Sequence, residues 1–503
     1  MKQACGRIGL SIICFLHFLV ICAQDQVHAE FRGVWIATVA NIDWPQSGDM
    51  DRDNQKQDFR ELLDFYRDLN FNAVIVQIRT AGDALYPTDL APWSRYLTGL
   101  EGDAGSWGSE DPLAFMIDET HQRGMEFHAW FNPYRATFDG NTEILSPDHV
   151  FRQHPDWMVR YGPKYYINPG LPAARAHIIE IVGDVVERYN IDGVHFDDYF
   201  YPYKIEGEEF DDRWAFTRYG VAEFESREDW RRHNVDLLVK ETHELIKDLK
   251  PWIRFGISPF GVWRNQSMHP LGSDTNAKQT NYDDLYADPL NWAKHKWVDY
   301  LAPQLYWSMD FEPAAYRVLA QWWDENAEGV DIYTGIGAYK YQNNFDKAWN
   351  SVYEIPRQIE LNRKLGNIKG TAFFSAKTLV QKPHLASVLK RDCFNTNVFT
   401  KAAVQEPAML PPPVARKVRT RNSTLYIELD NIPNGEGIQP VALNGELALG
   451  EEVFGTFDST NLRIPLTGNR MKLVLAFRDR EGNLGERTRA IWVLKDKERW
   501  KIL

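Results

Sequence analysis

Short apolar runs alternate with amphipathic helical patterns from Phe31 to Phe374. Eight of the apolar runs are rich in β-branched and aromatic residues, which is typical of strands. These runs cover residues 32–39, 73–78, 125–131, 193–197, 254–258, 300–306, 332–336 and 370–374. Apolar residues at helical spacing predict helices at residues 58–69, 174–189, 229–249, 316–323 and 355–365.

Repetition of a strand followed by a helix predicts an α/β fold, a (β/α)₈ TIM barrel over residues 31–395. A doubly wound open sheet is the alternative, but the Gly-x-Gly-x-x-Gly turn of that fold does not follow the first predicted strand. The segments after the third, fourth and fifth predicted strands are long. Because barrel enzymes build their sites from the loops that follow the strands, we expect the functional site in these three segments.

A different periodicity follows a proline-rich stretch at residues 404–413, which is typical of a stiff linker. Beyond it, apolar residues such as Leu425, Ile427 and Leu429 alternate with polar ones. This period of two predicts a small all-β sandwich of immunoglobulin or fibronectin type III kind over residues 414–503. Its sequence contains no catalytic constellation, so we expect a spacer, a brace or a glycan-binding module.

The first 23 residues have the pattern of a signal peptide, with Lys2 and Arg7 ahead of a nearly unbroken apolar run. The chain is therefore expected to be exported from a bacterial cytoplasm and to be periplasmic or extracellular. The end of the run superficially resembles a lipoprotein motif at Cys22, but the bulky Ile21 before the cysteine does not suit one. A membrane partner is expected only if Cys22 is lipidated.

Charge and cysteine content narrow the function classes. The chain of 503 residues has 57 basic and 70 acidic residues, a net charge of −13, which excludes a typical nucleic-acid binder. Of the 4 cysteines, only Cys393 lies outside the first 23 residues. An internal disulfide and a thiolate zinc cluster are then excluded, and we expect a buried or inert thiol, no metal and no cofactor.

The predicted fourth strand, residues 193–197, carries the strongest signal for chemistry. Strand side chains alternate between two faces, so the apolar Val194 and Phe196 are expected to pack under the helices. His195 and Asp197 then face the barrel lumen, with Asp197 at the carboxyl end of the strand, where it can meet a substrate.

Asp197 and the following Asp198 are therefore the candidate catalytic residues, with Asp197 as nucleophile or charge stabiliser. Glycoside cleavage needs two carboxyl groups, one ionised and one protonated. The identity of the second group is left open among Asp198, Glu206, Glu208, Asp274, Asp283 and Asp284. The alternative is that the acids merely cap a loop, although two adjacent acids are costly to place for packing alone.

Polar and aromatic residues near the strand ends are candidates to bind a sugar. The substrate-binding candidates are Arg79, Asn132, Tyr134, Arg135, Tyr199, Trp263, Arg264, Gln304, Tyr306 and Trp307. Residues expected to form a structural network are Arg32, Glu126, His128 and His195. Arg32 is expected to pair with a buried acid, whereas Arg79 could equally orient a ligand that carries a carboxylate.

Six sequence blocks occur in order along the predicted barrel. They are Phe31-Arg-Gly-Val-Trp-Ile-Ala-Thr38, His128-Ala-Trp-Phe-Asn-Pro-Tyr-Arg135, Asp192-Gly-Val-His-Phe-Asp-Asp-Tyr199, Ser258-Pro-Phe-Gly-Val-Trp-Arg264, Tyr282-Asp-Asp-Leu-Tyr-Ala-Asp288 and Ala302-Pro-Gln-Leu-Tyr-Trp307. Together they resemble the glycosyl-hydrolase-like family ten, exported bacterial barrel proteins that include a division-site peptidoglycan glycosidase. The resemblance implies a TIM barrel and glycosidase activity, with glycan strands free of stem peptides as one substrate.

The block that ends at Asp197 also resembles the fourth-strand motif of the α-amylase clan, whose terminal aspartate is the nucleophile. His195 stands where that clan has an arginine. The leading hypothesis is an exported glycoside hydrolase that acts on a bacterial or environmental polysaccharide. The alternative is a non-catalytic glycan-binding protein on a degenerate barrel, because the fifth strand offers no clear acid. A third class, a metal-dependent deacetylase, would use His128, His195 and Asp197.

Overall fold

Eight parallel strands close into a barrel in the computed structural model of the protein. Each strand pairs with its neighbours in the chain, and the first pairs with the eighth. The barrel strands, numbered one to eight, are Phe31–Ile36, Ala73–Arg79, Glu126–Phe131, Gly193–Phe196, Arg254–Ile257, Tyr300–Leu301, Asp331–Ile336 and Ile368–Phe373. The predicted TIM barrel and its eight strands are confirmed.

The structure describes residues 29–400, 410–421, 423–433, 438–445, 452–453, 456–458, 461–466, 469–479, 484–496 and 499–502. The predicted signal peptide at residues 1–23 and most of the predicted linker at 404–413 lie outside these residues. The domain boundaries therefore stay predictions. Among the described residues, no helix is long and apolar enough to cross a membrane.

Helices surround the barrel. The α-helices are Arg52–Asp68, Arg95–Thr98, Pro112–His121, Val150–Gln153, Pro172–Arg188, Arg213–Tyr219, Arg227–Leu249, Asn281–Asp284, Pro289–Lys294, Tyr316–Asn326, Glu354–Asn362, Ala376–Gln381 and Pro383–Val388. The first of them begins six residues before its predicted start, because the carboxylate of Asp51 accepts hydrogen bonds from the backbone N–H groups of Asp53 and Asn54. Such capping groups stabilise helical turns that precede the apolar residues from which the helix was predicted.

Shorter turns lie between these elements. The 3₁₀ turns are Val39–Asn41, Gly105–Trp107, Pro155–Trp157, Glu312–Ala314, Ala338–Lys340 and Lys347–Asn350, and Leu389–Cys393 is a π turn. The long segment after strand three also contains a hairpin of Met158–Tyr161 with Lys164–Ile167. Cys393 is free and buried, as expected, and burial raises the pKa of its thiol to about 11.

Two predicted strands extend three or more residues beyond the end that the structure has. Strand six was expected to reach Tyr306 but ends at Leu301. Pro303 has no N–H to donate to a neighbouring strand, and beyond it only Gln304 makes isolated bridges. Strand one ends at Ile36 rather than at residue 39, because the chain turns at Val39–Asn41.

The barrel has two separate apolar layers. Val194 and Phe196 belong to the large cluster between the strands and the helices, as the alternation predicts. A second cluster fills the lumen and includes Trp35, Trp130 and Tyr300. The lumen is therefore filled by side chains, and two of them, Trp35 and Trp130, also line the cavity at the carboxyl ends of the strands.

The C-terminal part is all-β, as predicted. One antiparallel sheet has the order Ala415–Arg421, Thr424–Leu429, Asn461–Pro465, Thr456–Asp458. The other has the order Glu452–Val453, Gln439–Asn444, Arg470–Arg478, Ile491–Asp496, Arg499–Ile502. Both sheets contribute to one core, with Leu425 and Ile427 from the first and Leu475 and Phe477 from the second. Its likeness to fibronectin type III stays a prediction.

Candidate active site

The carboxyl ends of the barrel strands surround a cavity of about 430 Å³, which we call the strand-end cavity. It is lined by Trp35, Ala37, Val39, Ile42, Gln77, Trp130, Arg135, Phe138, Asp197, Asp198, Tyr199, Tyr203, Ser258, Phe260, Gln304, Tyr306, Trp307, Tyr339, Lys340 and Phe374. This is the size range of a small-molecule site, and its place at the strand ends is where barrel enzymes bind substrate.

Asp197 is held at the floor of the strand-end cavity by three N–H donors. Asn132 Nδ2 donates to its Oδ2 at 2.8 Å, and Trp130 Nε1 donates to the same oxygen at 3.3 Å. The backbone N–H of Tyr199 donates to Oδ1 at 3.3 Å. Burial raises the pKa of Asp197 to about 6, although the charge of Arg135 and these hydrogen bonds oppose the rise. Asp197 is therefore oriented and ionised above about pH 6.

Asp198 turns into the same cavity, and its Oδ2 accepts a hydrogen bond from the hydroxyl of Tyr203. Burial raises the pKa of Asp198 to about 7, and the neighbouring charge of Asp197 adds to the rise. The hydrogen bonds from Tyr203 and Gln304 act in the opposite direction. Asp198 thus holds its proton to a higher pH than Asp197, so one acid can be ionised while the other is protonated.

Aromatic rings form much of the wall. Tyr199 and Tyr203 are stacked with ring centroids 5.2 Å apart. Phe260 stands edge-on to Tyr203 at 5.9 Å and to Trp307 at 5.6 Å. On another part of the wall, Tyr306 and Phe374 are 6.0 Å apart. Flat apolar faces beside two carboxyl groups suit a ligand with both C–H faces and hydroxyl groups, such as a sugar ring.

A chain of hydrogen bonds descends through the lumen below the strand-end cavity. Trp35 Nε1 donates to His195 Nε2 at 3.2 Å, which assigns the ring proton of His195 to Nδ1. Nδ1 then donates to the hydroxyl of Tyr300 at 3.0 Å, and the same hydroxyl lies within hydrogen-bond distance of His128 Nδ1, at 2.8 Å. His128 Nε2 donates to Glu126 Oε2 at 3.1 Å. The predicted structural residues of the lumen are thus joined in one chain.

The chain is compatible with a neutral His195. Burial, reinforced by the charge of His128, lowers the pKa of His195 well below its ordinary value. Burial alone would raise the pKa of Glu126, but the hydrogen bond and charge of His128 outweigh it and lower that pKa to about 2. On strand five, a Cβ atom at Gly256 would lie 2.0 Å from Tyr300 Cζ, so a glycine is needed there for the ring to fit.

Six of the predicted substrate-binding residues lie at the site. Five of them line the strand-end cavity: Arg135, Tyr199, Gln304, Tyr306 and Trp307. The sixth, Asn132, donates a hydrogen bond to Asp197, which lines the cavity. Arg32 lies elsewhere and pairs with Glu30 at 2.7 Å, as expected for a structural residue.

The positions expected for Arg79 and Tyr134 need correction. Arg79 is 1% exposed and does not line the strand-end cavity, and its Nη1 donates to the backbone carbonyl of Asp83 at 3.3 Å. Arg79 was a candidate because it ends strand two, but the register of this strand shifts between Gln77 and Arg79, so the strand is irregular at that point. Tyr134 is fully buried in the core outside the barrel.

Trp263 and Arg264 also lie away from the cavity. Trp263 stacks on Trp322 with centroids 5.8 Å apart, and its Nε1 donates to Asp288 at 3.0 Å. Arg264 forms an ion pair with Asp283 at 2.6 Å. The segment after strand five therefore turns toward the helical shell at Trp263.

Of the acids left open as the second carboxyl group, only Asp198 lines the strand-end cavity together with Asp197. Asp283 is occupied by Arg264, and Asp284 accepts from the backbone N–H of Thr280 at 2.8 Å. Asp274 is exposed. Glu206 and Glu208 are exposed as well. The two adjacent acids of strand four are thus the carboxyl pair of this cavity.

Several wall residues were missed by the sequence analysis. They are Trp35, Phe138, Tyr203, Phe260, Tyr339, Lys340 and Phe374. Tyr203 and Phe260 belong to segments already expected to be functional, so their loops were a usable signal. Lys340 ends a 3₁₀ turn after strand seven, for which the sequence offered no signal.

Another groove lies outside the strand-end cavity. A groove of about 970 Å³ runs over the helical shell beside Trp93, Glu180 and Leu245, away from the strand ends and from both acids. Within the part of the chain that the structure describes, no group of three or more His, Cys, Asp or Glu side chains could hold a metal ion.

Comparisons with known proteins agree with a glycosidase-like barrel. A family model described as glycosyl hydrolase-like 10 matches residues 30–351. Glycosyl hydrolase YngK of Bacillus subtilis (strain 168) is 47% identical over 408 residues, which cover 80% of this chain and 78% of that protein. Glycosyl hydrolase DigH of Escherichia coli (strain K12) is 39% identical over 373 residues, which cover 70% of this chain and 84% of that protein.

Among solved structures, the glycoside hydrolase domain of PgaB from Bordetella bronchiseptica aligns with a TM-score of 0.46 and 14% sequence identity. That alignment covers 72% of this chain and 99% of the other.

Proposed function

Because the chain belongs to the glycosyl hydrolase-like 10 family, we propose that it is an exported glycoside hydrolase that cleaves a polysaccharide in the strand-end cavity. One observation carries the proposal. Asp197 and Asp198 are both buried in this cavity, and the pKa of Asp198, about 7, lies above that of Asp197, about 6. Glycoside cleavage needs such a pair, one ionised and one protonated.

In the proposed mechanism, Asp197 is the ionised group. Its three N–H donors fix the carboxylate and favour its charged form, which can stabilise or attack the positively charged anomeric carbon of the transition state. The charge of Arg135 acts in the same direction. This assigns Asp197 the role of nucleophile or charge stabiliser.

Asp198 is the proposed general acid. Its raised pKa keeps a proton available near neutral pH, and the proton passes to the glycosidic oxygen as the bond to the anomeric carbon breaks. The hydroxyl of Tyr203 holds the carboxyl group in place. The aromatic rings around the pair would pack on the sugar. A water molecule then supplies the oxygen that bonds to the anomeric carbon, either directly or after a covalent intermediate on Asp197, and a carboxylate of the pair accepts its proton.

Peptidoglycan glycan strands freed of stem peptides are the first substrate to test. The purified protein should convert them to shorter saccharides, detected by chromatography and mass spectrometry. We expect Asp197→Asn and Asp198→Asn to lose at least about a hundredfold in rate, since each removes a group that acts in the transition state. Asp274→Asn is the matched control, because Asp274 is exposed and outside the cavity. Full activity of Asp197→Asn would refute the assignment.

The two roles can be told apart by the leaving group. A general acid matters less when the leaving group is a stable phenolate, so Asp198→Asn should retain more activity on an activated aryl glycoside than on a natural strand. Asp197→Asn should lose both activities alike.

A second candidate is a glycan-binding protein without turnover. It is favoured by strand five, Arg254–Ile257, after which Ser258 and Phe260, and no acid, line the strand-end cavity. This candidate predicts saccharide affinity with an unaltered ligand after long incubation.

A further inference from the structure

Two cationic side chains line the strand-end cavity without a carboxylate partner. Among the described residues, neither Arg135 nor Lys340 forms an ion pair within 4 Å. The guanidinium of Arg135 lies over the ring of Tyr199, 4.4 Å from its centroid, and the residue is only 6% exposed. Lys340 donates from Nζ to the backbone carbonyl of Tyr306. Burying a cation without an anionic partner is costly, so the charge of Arg135 needs an explanation.

Neither acid of the pair, Asp197 or Asp198, forms an ion pair with the guanidinium of Arg135. The charge of Arg135 lowers the pKa of Asp197, but the oxygens of Asp197 already accept hydrogen bonds from the N–H groups of Trp130, Asn132 and Tyr199. The guanidinium has five N–H donors arranged as a planar fork, and none of them is used by a carboxylate of the described residues. It is therefore free to receive an acceptor that enters the cavity.

A third cation crowds the same end of the cavity. Lys164 lies with its Nζ over the ring of Phe138, 4.9 Å from the centroid. Burial lowers the pKa of Lys164, and the charge of Arg135 lowers it further, so the two like charges are close. The acid beside them, Asp139, is already paired with Arg95 at 2.9 Å. An incoming anion would relieve this repulsion.

We propose that the strand-end cavity selects a sugar ring that bears a carboxylate, and that Arg135 receives this carboxylate through its planar fork of N–H donors. The inference rests on the proposed function, because it names the substrate class of the same site. Arginine binds carboxylates in a two-pronged geometry that lysine cannot reproduce. Lys340 adds a second positive charge on the wall. Two chemical sources supply such a ring, a hexuronic acid and an amino sugar with a lactyl ether.

Binding to a variant with strongly reduced turnover tests the inference separately from catalysis. Calorimetry with Asp198→Asn would compare oligosaccharides that carry free carboxylates with the same oligosaccharides after reduction of each carboxylate to an alcohol. Oligohexuronates form one arm, and stem-peptide-free strands with lactyl carboxylates form the other. We expect the acidic form of at least one arm to bind about tenfold tighter than its reduced form, as for a charge-assisted hydrogen-bonded pair. The arm that shows the difference identifies the source.

Variants at the cation locate the effect. Arg135→Gln on the same background should abolish the preference, and Arg135→Lys should retain only part of it. Lys364→Gln is the matched control, because Lys364 is exposed on the helical shell and pairs with Glu360. If Arg135→Gln fails to fold, the comparison of acidic and reduced oligosaccharides on Asp198→Asn alone still tests the inference.

The outcomes separate the two proposals. Equal affinity for acidic and reduced oligosaccharides in both arms overturns the inference, even if the wild-type protein cleaves glycans. A preference for the acidic form with no cleavage by the wild-type protein supports the inference and refutes the hydrolase. A preference that survives unchanged in Arg135→Gln also overturns the inference, since another group would then be responsible.

Discussion

Asn132 donates a hydrogen bond from Nδ2 to Oδ2 of Asp197 over 2.8 Å. The amide comes from the residue after strand three, and the carboxylate comes from the tip of strand four. The amide oxygen of Asn132 in turn accepts from the backbone N–H of Arg135 at 3.1 Å. One side chain therefore fixes both the candidate nucleophile and the start of the loop that carries the candidate carboxylate receptor.

Removal of this amide should impair the proposed hydrolase. Asn132→Ala deletes a donor to an ionised group, which is worth about 1.5–3 kcal/mol, so kcat/KM should fall about tenfold to a hundredfold. The pKa of Asp197 should rise further, which moves the acidic limb of the pH profile upward. Asn141→Ala is the control, since Asn141 is exposed in the same loop. An unmoved acidic limb would contradict the assignment.

The pH dependence of the proposed activity follows from the acid pair. Cleavage requires Asp197 ionised and Asp198 protonated, with pKa values of about 6 and about 7. We expect kcat/KM to peak between these values and to fall on both sides. The measurement is a profile from about pH 4 to about pH 9. Asp198→Asn should lose the alkaline limb, and a wild-type profile that stays flat up to the alkaline end would refute the role of Asp198.

The same acid should make the fold less stable at high pH. Burial raises the pKa of Asp198 from 3.8 to about 7, so between these values the native state keeps a proton that the unfolded chain has released. Stability then falls as the pH rises through this window. Asp198→Asn should therefore raise Tm by a few degrees near pH 8 and leave it nearly unchanged near pH 4. The exposed Asp274→Asn should show no such difference, and an equal gain at both pH values would count against the burial argument.

The inward acid of strand four was predictable because alternation along a strand is a local property. Val194 and Phe196 fixed one face, and His195 and Asp197 followed on the other. The hydroxyl of Tyr300 that bridges the two lumen histidines was not predictable, because it comes from another strand, about 100 residues along the chain from His195. Local patterns specify faces, whereas contacts between strands depend on the closed barrel.

The loops, too, were predictable in their position along the chain but not in their tertiary contacts. The sequence indicated which segments follow the strand ends, but not where each segment turns. Trp263 was expected at the mouth, yet it stacks on Trp322 of the helix Tyr316–Asn326. Arg264 forms an ion pair with Asp283 away from the strand-end cavity, so its charge is neutralised there. Whether a loop residue faces the cavity or the helical shell depends on such tertiary partners.

The lumen chain of hydrogen bonds should contribute strongly to stability. Tyr300→Phe removes the hydroxyl that bonds to His195 Nδ1 and to His128 Nδ1, leaving two fully buried ring nitrogens without this partner. Unsatisfied buried polar groups cost about 1–3 kcal/mol each, so the free energy of unfolding should fall by about 2–6 kcal/mol, as measured by thermal or chemical unfolding. Tyr219→Phe, at an exposed tyrosine, should change little. An unchanged unfolding transition in Tyr300→Phe would mean that the chain is not maintained in solution.

A buried ion cluster at the opposite end of the barrel should also contribute to stability. Glu30 accepts from Arg32 Nε at 2.7 Å and from Arg363 Nε at 2.8 Å. Burial would raise the pKa of Glu30, but the hydrogen bonds and charges of both arginines outweigh it and lower this pKa below 4.5. Glu30→Gln leaves two cations without their anion and should destabilise the fold by about 3–5 kcal/mol at pH 7. Since a lowered pKa stabilises above the unfolded value, the difference from wild type should shrink as the pH falls below 4.5. Chemical unfolding at neutral and acidic pH measures this, with the exposed pair variant Glu360→Gln as control. A difference that is the same at both pH values would show that charge at Glu30 is not its cause.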